Sequence, residues 1–207
     1  MRTLSAIKIC FSLLFLSICL GSQAYSFDTK ARAAYIIDQT SGTVLLSKNA
    51  DLPLPPASMS KLMTLYMTFE FIKAGRLGLN EKLPVSKNAA NYTGSTMFLD
   101  PTDRVAVIDL IKGIIVLSGN DACAVIAEAL SPDGTEAGFA KLMTQRAKQL
   151  GLKNSTFKNS NGWPAAGHQM SVRDLGLLAE RLITDFPEYY PMFAEQTYEF
   201  DLSLIHI

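Results

Sequence analysis

Residues 53–72 have the sequence PLPPASMSKLMTLYMTFEFI, and within this stretch the chain changes from an extended to a helical pattern. Its three prolines stiffen an extended approach, because the proline ring fixes φ and disfavours helix in the preceding residue. From Ser58 onward, apolar residues recur at helical spacing. Gly75 and Gly78 mark the end of this pattern. The stretch therefore predicts a long helix that begins at Ser58.

A β-hairpin is predicted before the prolines. Two apolar runs, Ala33–Ile37 and Thr43–Leu46, flank a turn at residues 38–42 (DQTSG), and turn residues between two such runs are typical of a hairpin. Downstream of the first helix, helical patterns dominate. The predicted helices there are Val107–Leu117, Ala122–Leu130, Ala137–Leu150 and a segment that runs from a capping box at Ser171–Asp174 to about Ile183.

This order of elements predicts an α+β fold, in which the N-terminal hairpin belongs to an antiparallel sheet and the rest is a mainly helical subdomain. A two-stranded hairpin is rarely stable by itself. We therefore expect further strands to complete the sheet, and none is evident in the sequence. The tail Phe200–Ile207 has no clear role. We expect the natural sequence to continue beyond it.

The composition indicates a globular chain with a sizeable core. Of 207 residues, 48% are hydrophobic and 18% are charged, and 19 Lys and Arg balance 19 Asp and Glu. These values exclude a disordered or collagen-like chain. A balanced charge without a dense basic run argues against nucleic-acid binding, which needs a basic face. Two histidines rule out most histidine-based metal centres.

Residues 1–24 have the pattern of a cleaved export signal. Two basic residues precede the short apolar run Ile9–Leu20, and the small residues of the triplet 22–24 (SQA) suit signal peptidase. The run is short for a membrane span, although a retained anchor is the alternative. Cleavage would leave Cys123 as the single cysteine of residues 25–207. We therefore expect an exported domain without an internal disulfide.

A serine and a lysine, Ser58 and Lys61, lie one helical turn apart at the start of the long helix. Residues three apart share a helix face, so the lysine amine can reach the serine hydroxyl. A serine becomes a nucleophile when a base removes its proton. Burial and the positive end of the helix both lower a lysine pKa, which favours the neutral amine. Backbone N–H groups at the same helix start could stabilise an oxyanion.

The Ser-x-x-Lys spacing alone is a weak signal, since it recurs at Ser5 and Ser155. Only the copy at Ser58 opens a long amphipathic helix. The first copy lies in the export signal and the third lies in a turn-rich segment. On the spacing alone a structural alternative is favoured, in which Ser58 caps the helix and Lys61 is a solvated residue of its first turn.

The second polar element is Ser118-Gly119-Asn120, in the break between two apolar helices. Such a break can direct side chains into a cleft, where a hydroxyl could relay a proton and an amide could hold a peptide. The Ser-x-Asn spacing recurs at Ser47 and Ser86. The alternative is a turn that links two helices, with Asp121 capping the second.

Other polar and aromatic residues are expected to be structural. Cys123 has no nearby histidine and lies in an apolar helix, which predicts a buried, inert thiol. His168 lies in a loop and is expected on the surface or on a groove wall. Trp163 is expected to pack its loop rather than to line a groove. Arg104 and Arg173 could each meet a carboxylate, but solvated side chains are favoured.

The chain resembles the serine-type D-alanyl-D-alanine carboxypeptidases, the low-molecular-mass penicillin-binding proteins. The likeness runs from about Ala33 to Asp185 and includes PPASMSKLMT, GSTMFLDPTDRVAVIDLIKGIIVLSGNDACAVIAE and LGLKNSTFKNSNGW. The resemblance implies an α/β sandwich of the β-lactamase/transpeptidase-like type. It also implies that Ser58 is the acylated nucleophile and Lys61 its general base. Ser118 would then shuttle the proton, and Asn120 would hold the substrate amide.

The resemblance further implies removal of the terminal D-alanine from peptidoglycan stem peptides. The protein would act in the periplasm or cell envelope, without a metal or an organic cofactor, and β-lactam antibiotics would acylate the same serine. Residues 25–207 would be the peptidase domain, with its C-terminal part missing.

A Lys-Thr-Gly triplet, which the resemblance would place on a strand beside the nucleophile, is absent from the sequence. Such a strand binds the substrate carboxylate and supplies an oxyanion N–H, so the activity of these 207 residues alone stays open. Membrane association through a missing C-terminal segment is possible.

Three other functions stay open: a β-lactamase, an endopeptidase of the same clan, and a non-catalytic envelope protein that binds peptidoglycan. The β-lactamase is less favoured, because no glutamate here is followed by the asparagine of a Glu-x-x-x-Asn stretch.

Overall fold

The computed structural model describes residues 29–200 and, as backbone only, residues 203–206. Internal contacts divide the chain into residues 1–31 and a compact unit of residues 32–207, and the fold below is that of the second unit. The predicted export signal, residues 1–24, lies outside the described residues. Within the described part, no helix is both long and apolar enough to span a membrane.

The predicted hairpin is confirmed. Strand β1 (Ala34–Ile37) pairs antiparallel with β2 (Val44–Lys48). The Asp38 carboxylate accepts hydrogen bonds from the backbone N–H groups of Thr40 at 2.8 Å and Ser41 at 2.9 Å. An aspartate that bonds the backbone two and three residues ahead stabilises a turn, so the polar turn sequence sets the reversal of the chain.

The predicted helices form, Val107–Leu117 with the predicted boundaries and the others with boundaries shifted by at most three residues. The remaining elements, in chain order, are a 3₁₀ turn (Ala57–Ser60), α1 (Lys61–Lys73), β3 (Lys82–Pro84), α2 (Lys87–Ala90), β4 (Arg104–Ala106), α3 (Val107–Leu117), α4 (Asn120–Leu130), α5 (Glu136–Gln149), α6 (Val172–Asp185), a second 3₁₀ turn (Tyr190–Ala194), β5 (Thr197–Phe200) and β6 (Ser203–His206).

The described strands pair only in twos: β1 with β2, β3 with β4, and β5 with β6. Apolar side chains of the first pair face solvent, and Leu45 exposes 64% of its surface. Ile36 and Val44 are also exposed. Antiparallel sheets normally cover at least one apolar face. The described chain is thus an α+β fold with an incomplete sheet, as predicted.

The core is centred on helices α1 and α4. Helix α4 is buried without interruption from Asn120 to Ala127. Helix α1 is buried from Met63 to Phe69 and also at Lys61, and it packs against α4, α5 and α6. A helix that is buried on all sides lies between other elements, so α1 and α4 are central helices. Ser58 directly precedes α1 and Asn120 begins α4, which places each predicted polar motif at the start of a central helix.

The start of α4 differs from the prediction. The helix begins at Asn120, two residues before the predicted start at Ala122. The expectation that Asp121 caps the helix is wrong, because its carboxylate accepts N–H groups from another loop: Met97 at 3.0 Å and Leu99 at 3.2 Å. Buried carboxylates require such donors. Asp121 thus fastens this loop to the start of α4.

Two expectations about α6 have different outcomes. Its predicted start is confirmed, since Ser171 Oγ accepts a hydrogen bond from Asp174 N at 3.1 Å. Arg173 stays partly exposed to solvent and also meets a carboxylate, since its Nε lies 2.7 Å from an Asp51 carboxylate oxygen. A guanidinium forms two parallel bonds with a carboxylate, and this pair ties α6 to the segment that follows β2.

Part of the tail, residues 200 and 203–206, has a described backbone. Strands β5 and β6 pair antiparallel, with Phe200 opposite Ser203. The Tyr198 hydroxyl donates to Asp109 Oδ1 at 2.6 Å, which fastens β5 to α3. This hairpin was not predicted, because its two strands are short and the partner of Tyr198 lies 89 residues away in the chain.

Candidate active site

Ser58 lies in the 3₁₀ turn directly before α1 and is exposed to solvent. The preceding residue, Ala57, has a φ of 49°, in the left-handed region. This conformation costs a residue other than glycine about 1–3 kcal/mol and persists only where surrounding contacts hold it. The predicted helix therefore begins as a strained, tighter turn that carries the serine at its surface.

Lys61 is the first residue of α1 and only 4% of its surface is exposed. Its Nζ lies 3.0 Å from Ser58 Oγ and donates to the Asn161 carbonyl oxygen at 2.8 Å. Burial lowers the pKa of Lys61 below its ordinary value of 10.5, because removal from water disfavours the ammonium form. The alternative of a solvated first-turn lysine is therefore wrong. The site holds a buried amine beside an exposed hydroxyl.

Ser118 stands at the end of α3 in a left-handed conformation, with φ of 61° and ψ of 38°. The residue is half-buried. Among the described residues, its hydroxyl makes no hydrogen bond to Ser58 or to Lys61. The structure thus joins Ser58 and Lys61 directly and leaves Ser118 as a separate polar group at the break between α3 and α4.

Asn120 is the first residue of α4 and is buried. Its side-chain Nδ2 donates to the Thr93 carbonyl oxygen at 2.8 Å, and its backbone N–H donates to the Ser95 carbonyl oxygen at 2.8 Å. An amide whose nitrogen is bound in this way has a fixed orientation. The loop of residues 92–95 therefore positions Asn120.

The loop of residues 159–163 (NSNGW) provides the second partner of Lys61, and the sequence predicted only a turn there. The amide of Asn159 accepts from Gly162 N and donates to Trp163 O, both at 2.8 Å. Asn161 Oδ1 accepts from Trp163 N at 2.9 Å. Asparagines that bond nearby backbone are typical of turns. The signal for a turn was present, but nothing local indicated that a carbonyl here meets Lys61.

His168 was expected on the surface or on a groove wall, and it lies on a groove wall rather than on the open surface. Only 5% of its surface is exposed. Its Nδ1 accepts from the backbone N–H of Lys158 at 3.2 Å, so its Nε2 carries the proton and donates to Ser60 Oγ at 2.7 Å. Burial, followed by the charge of Lys158, lowers the pKa of His168. The neutral imidazole thus links the backbone at Lys158 to the 3₁₀ turn that contains Ser60.

A groove of about 370 Å³ lies beside Ser58 and is mostly apolar. Trp163 lines it and is partly exposed, and its ring also meets Tyr92 edge-on at 6.3 Å. Trp163 therefore lines the groove as well as packing its loop. Cys123 is fully buried, as predicted, and burial raises its thiol pKa. The groove is lined by Pro55, Pro56, Ala57, Gly162, Trp163, Pro164, Ala165, Ala166 and His168.

Comparison with known proteins identifies similar sequences and structures. The D-alanyl-D-alanine carboxypeptidase DacC of Escherichia coli is 41% identical over 177 residues, which cover 83% of this chain and 44% of the relative. The crystal structure of penicillin binding protein 5 from Haemophilus influenzae superposes with a TM-score of 0.82 at 31% identity, covering 87% of this chain and 53% of that one.

A penicillin-binding protein from Listeria monocytogenes in its ampicillin-bound form is also similar. Its TM-score is 0.75 at 28% identity, over 89% of this chain and 74% of that one. The chain spans 41% to 44% of the length of the first curated relatives that it matches. The family model for D-alanyl-D-alanine carboxypeptidases matches residues 21–206, which include the exposed serine, the buried lysine and both supporting loops. The chain belongs to the D-alanyl-D-alanine carboxypeptidase family.

Proposed function

We propose that the full-length protein is a serine-type D-Ala-D-Ala carboxypeptidase that removes the terminal D-alanine from peptidoglycan stem peptides. One observation carries the proposal: buried Lys61 places its Nζ 3.0 Å from the hydroxyl oxygen of exposed Ser58. The names of the relatives support this choice of bond and substrate.

In the proposed reaction, the neutral amine of Lys61 takes the Ser58 hydroxyl proton while Oγ attacks the carbonyl carbon between the two D-alanines. Backbone N–H groups at the start of α1 stabilise the oxyanion. The C–N bond then breaks, and the proton passes to the leaving amine, with Ser118 as the proposed relay. Water attacks the resulting ester, gives its proton to the same base and frees Ser58.

The supporting residues have proposed roles in binding. Asn120 holds a peptide amide of the substrate. Its side-chain amide is oriented by the Thr93 carbonyl, and its backbone N–H is bound by the Ser95 carbonyl. The apolar groove beside Ser58 receives part of the stem peptide. β-Lactams acylate the same hydroxyl, which the ampicillin-bound relative supports.

The proposed location is the cell envelope. The pattern of residues 1–24 supports export, and relatives that act as penicillin-binding proteins fit a site at the cell wall. Membrane association of the full-length protein is a further part of this proposal, tested by whether the protein sediments with membranes after salt washing.

A labelled penicillin tests the function on the full-length protein. We expect covalent label that persists for many minutes in the wild type and is lost in S58A. The matched control is K158A, which changes the exposed lysine of the third Ser-x-x-Lys sequence and should leave labelling unchanged. Label that turns over rapidly would indicate a β-lactamase instead, and a wild type without label would indicate a non-catalytic peptidoglycan-binding protein.

A further inference from the structure

The carboxylate of Glu136 joins two loops that flank the site. Glu136 is the first residue of α5 and is half-buried. Its Oε1 accepts from Ser160 N at 2.9 Å and from Ser160 Oγ at 2.5 Å, and its Oε2 accepts from the Tyr92 hydroxyl at 2.6 Å. Ionised carboxylates make short, strong hydrogen bonds of this kind. One side chain thus holds both loops.

The first of these loops controls the partner of Lys61. Ser160 is fully buried, and its own carbonyl accepts from Thr64 Oγ1 at 2.5 Å. The next carbonyl along the chain, that of Asn161, accepts from Lys61 Nζ at 2.8 Å. Glu136 accepts from both donors of Ser160 and therefore sets the position of this residue, which directly precedes Asn161.

The second loop controls Asn120. Tyr92 is followed directly by Thr93, whose carbonyl oxygen accepts from Asn120 Nδ2 at 2.8 Å. The Tyr92 ring also meets the ring of Trp163 edge-on, at 6.3 Å between centroids. The Glu136–Tyr92 bond therefore links the acceptor that orients Asn120 to the loop that orients Lys61.

We propose that Glu136 is a positioning residue for acyl transfer. It fixes two loops at once, so that the Asn161 carbonyl stays within hydrogen-bond distance of Lys61 and the Thr93 carbonyl stays within hydrogen-bond distance of Asn120. This inference rests on the proposed function. Glu136 does not touch Ser58 and acts through the two loops. Its oxygens accept from three donors of the two loops, so the role assigned here is to hold these loops.

The role follows from geometry rather than from charge, and substitutions separate the two. Glutamine at 136 keeps the length of the side chain: its oxygen can accept from Ser160, and its NH₂ can donate to the Tyr92 oxygen. Aspartate keeps the charge but is one methylene shorter and cannot reach both loops. We therefore expect E136Q to preserve the site and E136D and E136A to disturb it.

The test measures acylation of the full-length protein by a labelled penicillin over a range of concentrations, which separates the dissociation constant from the acylation rate constant. We expect the acylation rate constant of E136A and E136D to fall by about 10- to 100-fold, the size of effect that displacement by about 1 Å produces. The dissociation constant of E136A and E136D should also rise, because Asn120 is displaced together with the partner of Lys61, and E136Q should stay within about threefold of wild type in both constants.

The control is E128A. Glu128 is also half-buried, lies on α4 and accepts one hydrogen bond from Asn88 Nδ2 at 2.9 Å, a bond that involves no residue of either loop. It should acylate as the wild type does. Unfolding midpoints of all variants separate slow acylation from loss of fold. If E136A does not fold, the contrast between E136D and E136Q decides the question.

Three results would overturn the inference: wild-type acylation by both E136A and E136D, E136Q as slow as E136D, or a rate loss in E128A equal to that in E136A. These results leave the proposed function standing as long as the wild type is labelled. A wild type that takes no label overturns both.

Discussion

The backbone of Gly162 runs directly against the backbone of Ala57, so closely that a Cβ on Gly162 would overlap the Ala57 carbonyl oxygen. Gly162 has a φ of 86°, where glycine alone is free of steric cost. Since Ala57 precedes Ser58, this contact joins the loop that binds Lys61 to the turn that presents the serine.

We therefore expect G162A to be among the most damaging small substitutions in the chain. The clash is with backbone, which cannot move aside as a side chain can, so a cost of at least about 2–4 kcal/mol is expected from strain and overpacking together. Acylation should fall with it, because Ala57 must shift. Urea unfolding and penicillin labelling measure the two effects.

The matched control for that prediction is G42A. Gly42 also has a left-handed φ, of 70°, but open space surrounds the position of its Cβ. It should lose only about 1 kcal/mol and retain labelling. Equal losses in the free energy of unfolding for G162A and G42A would show that the left-handed φ, and not the contact with Ala57, accounts for the destabilisation.

The second prediction concerns the pH dependence of acylation. Burial lowers the pKa of Lys61 from 10.5, and only the neutral amine can accept the Ser58 proton. The acylation rate should rise with pH through this lowered pKa and level off below pH 10.5. K61M should be acylated about a thousandfold or more slowly than the wild type, at a rate that does not rise with pH in this range. A wild-type acylation rate that still rises through pH 10.5 would contradict a neutral, buried amine.

The same lowered pKa affects stability. Between the folded and unfolded pKa values of Lys61, the unfolded chain binds a proton that the folded chain does not. The Lys61 contribution to the free energy of unfolding should therefore increase as pH rises through this window. Urea unfolding of wild type and K61M across alkaline pH gives the difference between their free energies of unfolding. This difference should shift in favour of the wild type as pH rises, and a difference that does not depend on pH would contradict the prediction.

A third prediction concerns acid stability. The pKa of His168 is lowered from 6.5 by burial, so below pH 6.5 the unfolded chain binds its proton first. Stability should fall as pH drops from 6.5 toward the folded pKa. H168Q cannot ionise and should show a shallower decline between pH 7.5 and 5 than wild type. Parallel declines would mean that other groups control acid unfolding.

The fourth prediction concerns Asp121. D121A would leave the N–H groups of Met97 and Leu99 without their acceptor, at an expected cost of about 2–4 kcal/mol for two buried donors. The control D109A removes a single hydrogen bond from the Tyr198 hydroxyl and should cost about 1 kcal/mol. Chemical denaturation compares them, and a D121A variant no less stable than D109A would refute the role assigned to this carboxylate.

The parts of the molecule that depend on near neighbours could be predicted from sequence. The hairpin, the helix after the prolines and the approach of Lys61 to Ser58 involve residues within one turn or one hairpin. The third Ser-x-x-Lys sequence shows what the spacing alone misses: Ser155 is buried and donates to Asp174 Oδ2 at 2.7 Å. The helix that follows Ser58 separates the two copies in the sequence, whereas the burial of Ser155 depends on the whole fold and could not be predicted.

The polar contacts that were not predicted share one feature, which is a partner distant in sequence. His168 bonds to Ser60 across 108 residues, and Arg173 bonds to Asp51 across 122. A polar residue in a loop or at a helix start is usually solvated, so the local sequence favoured exposure. Each of these residues instead has a specific acceptor that only the tertiary fold brings near.

The contact between Lys61 and the Asn161 carbonyl spans 100 residues. Until the chain between them has closed, the lysine amine is exposed to water. Under the proposed mechanism, Ser58 would then lack its base, and reactivity would be acquired only when this long-range contact forms. A nascent or partly folded chain would not react with acyl donors, and covalent labelling would measure the fraction of molecules that have reached the native state.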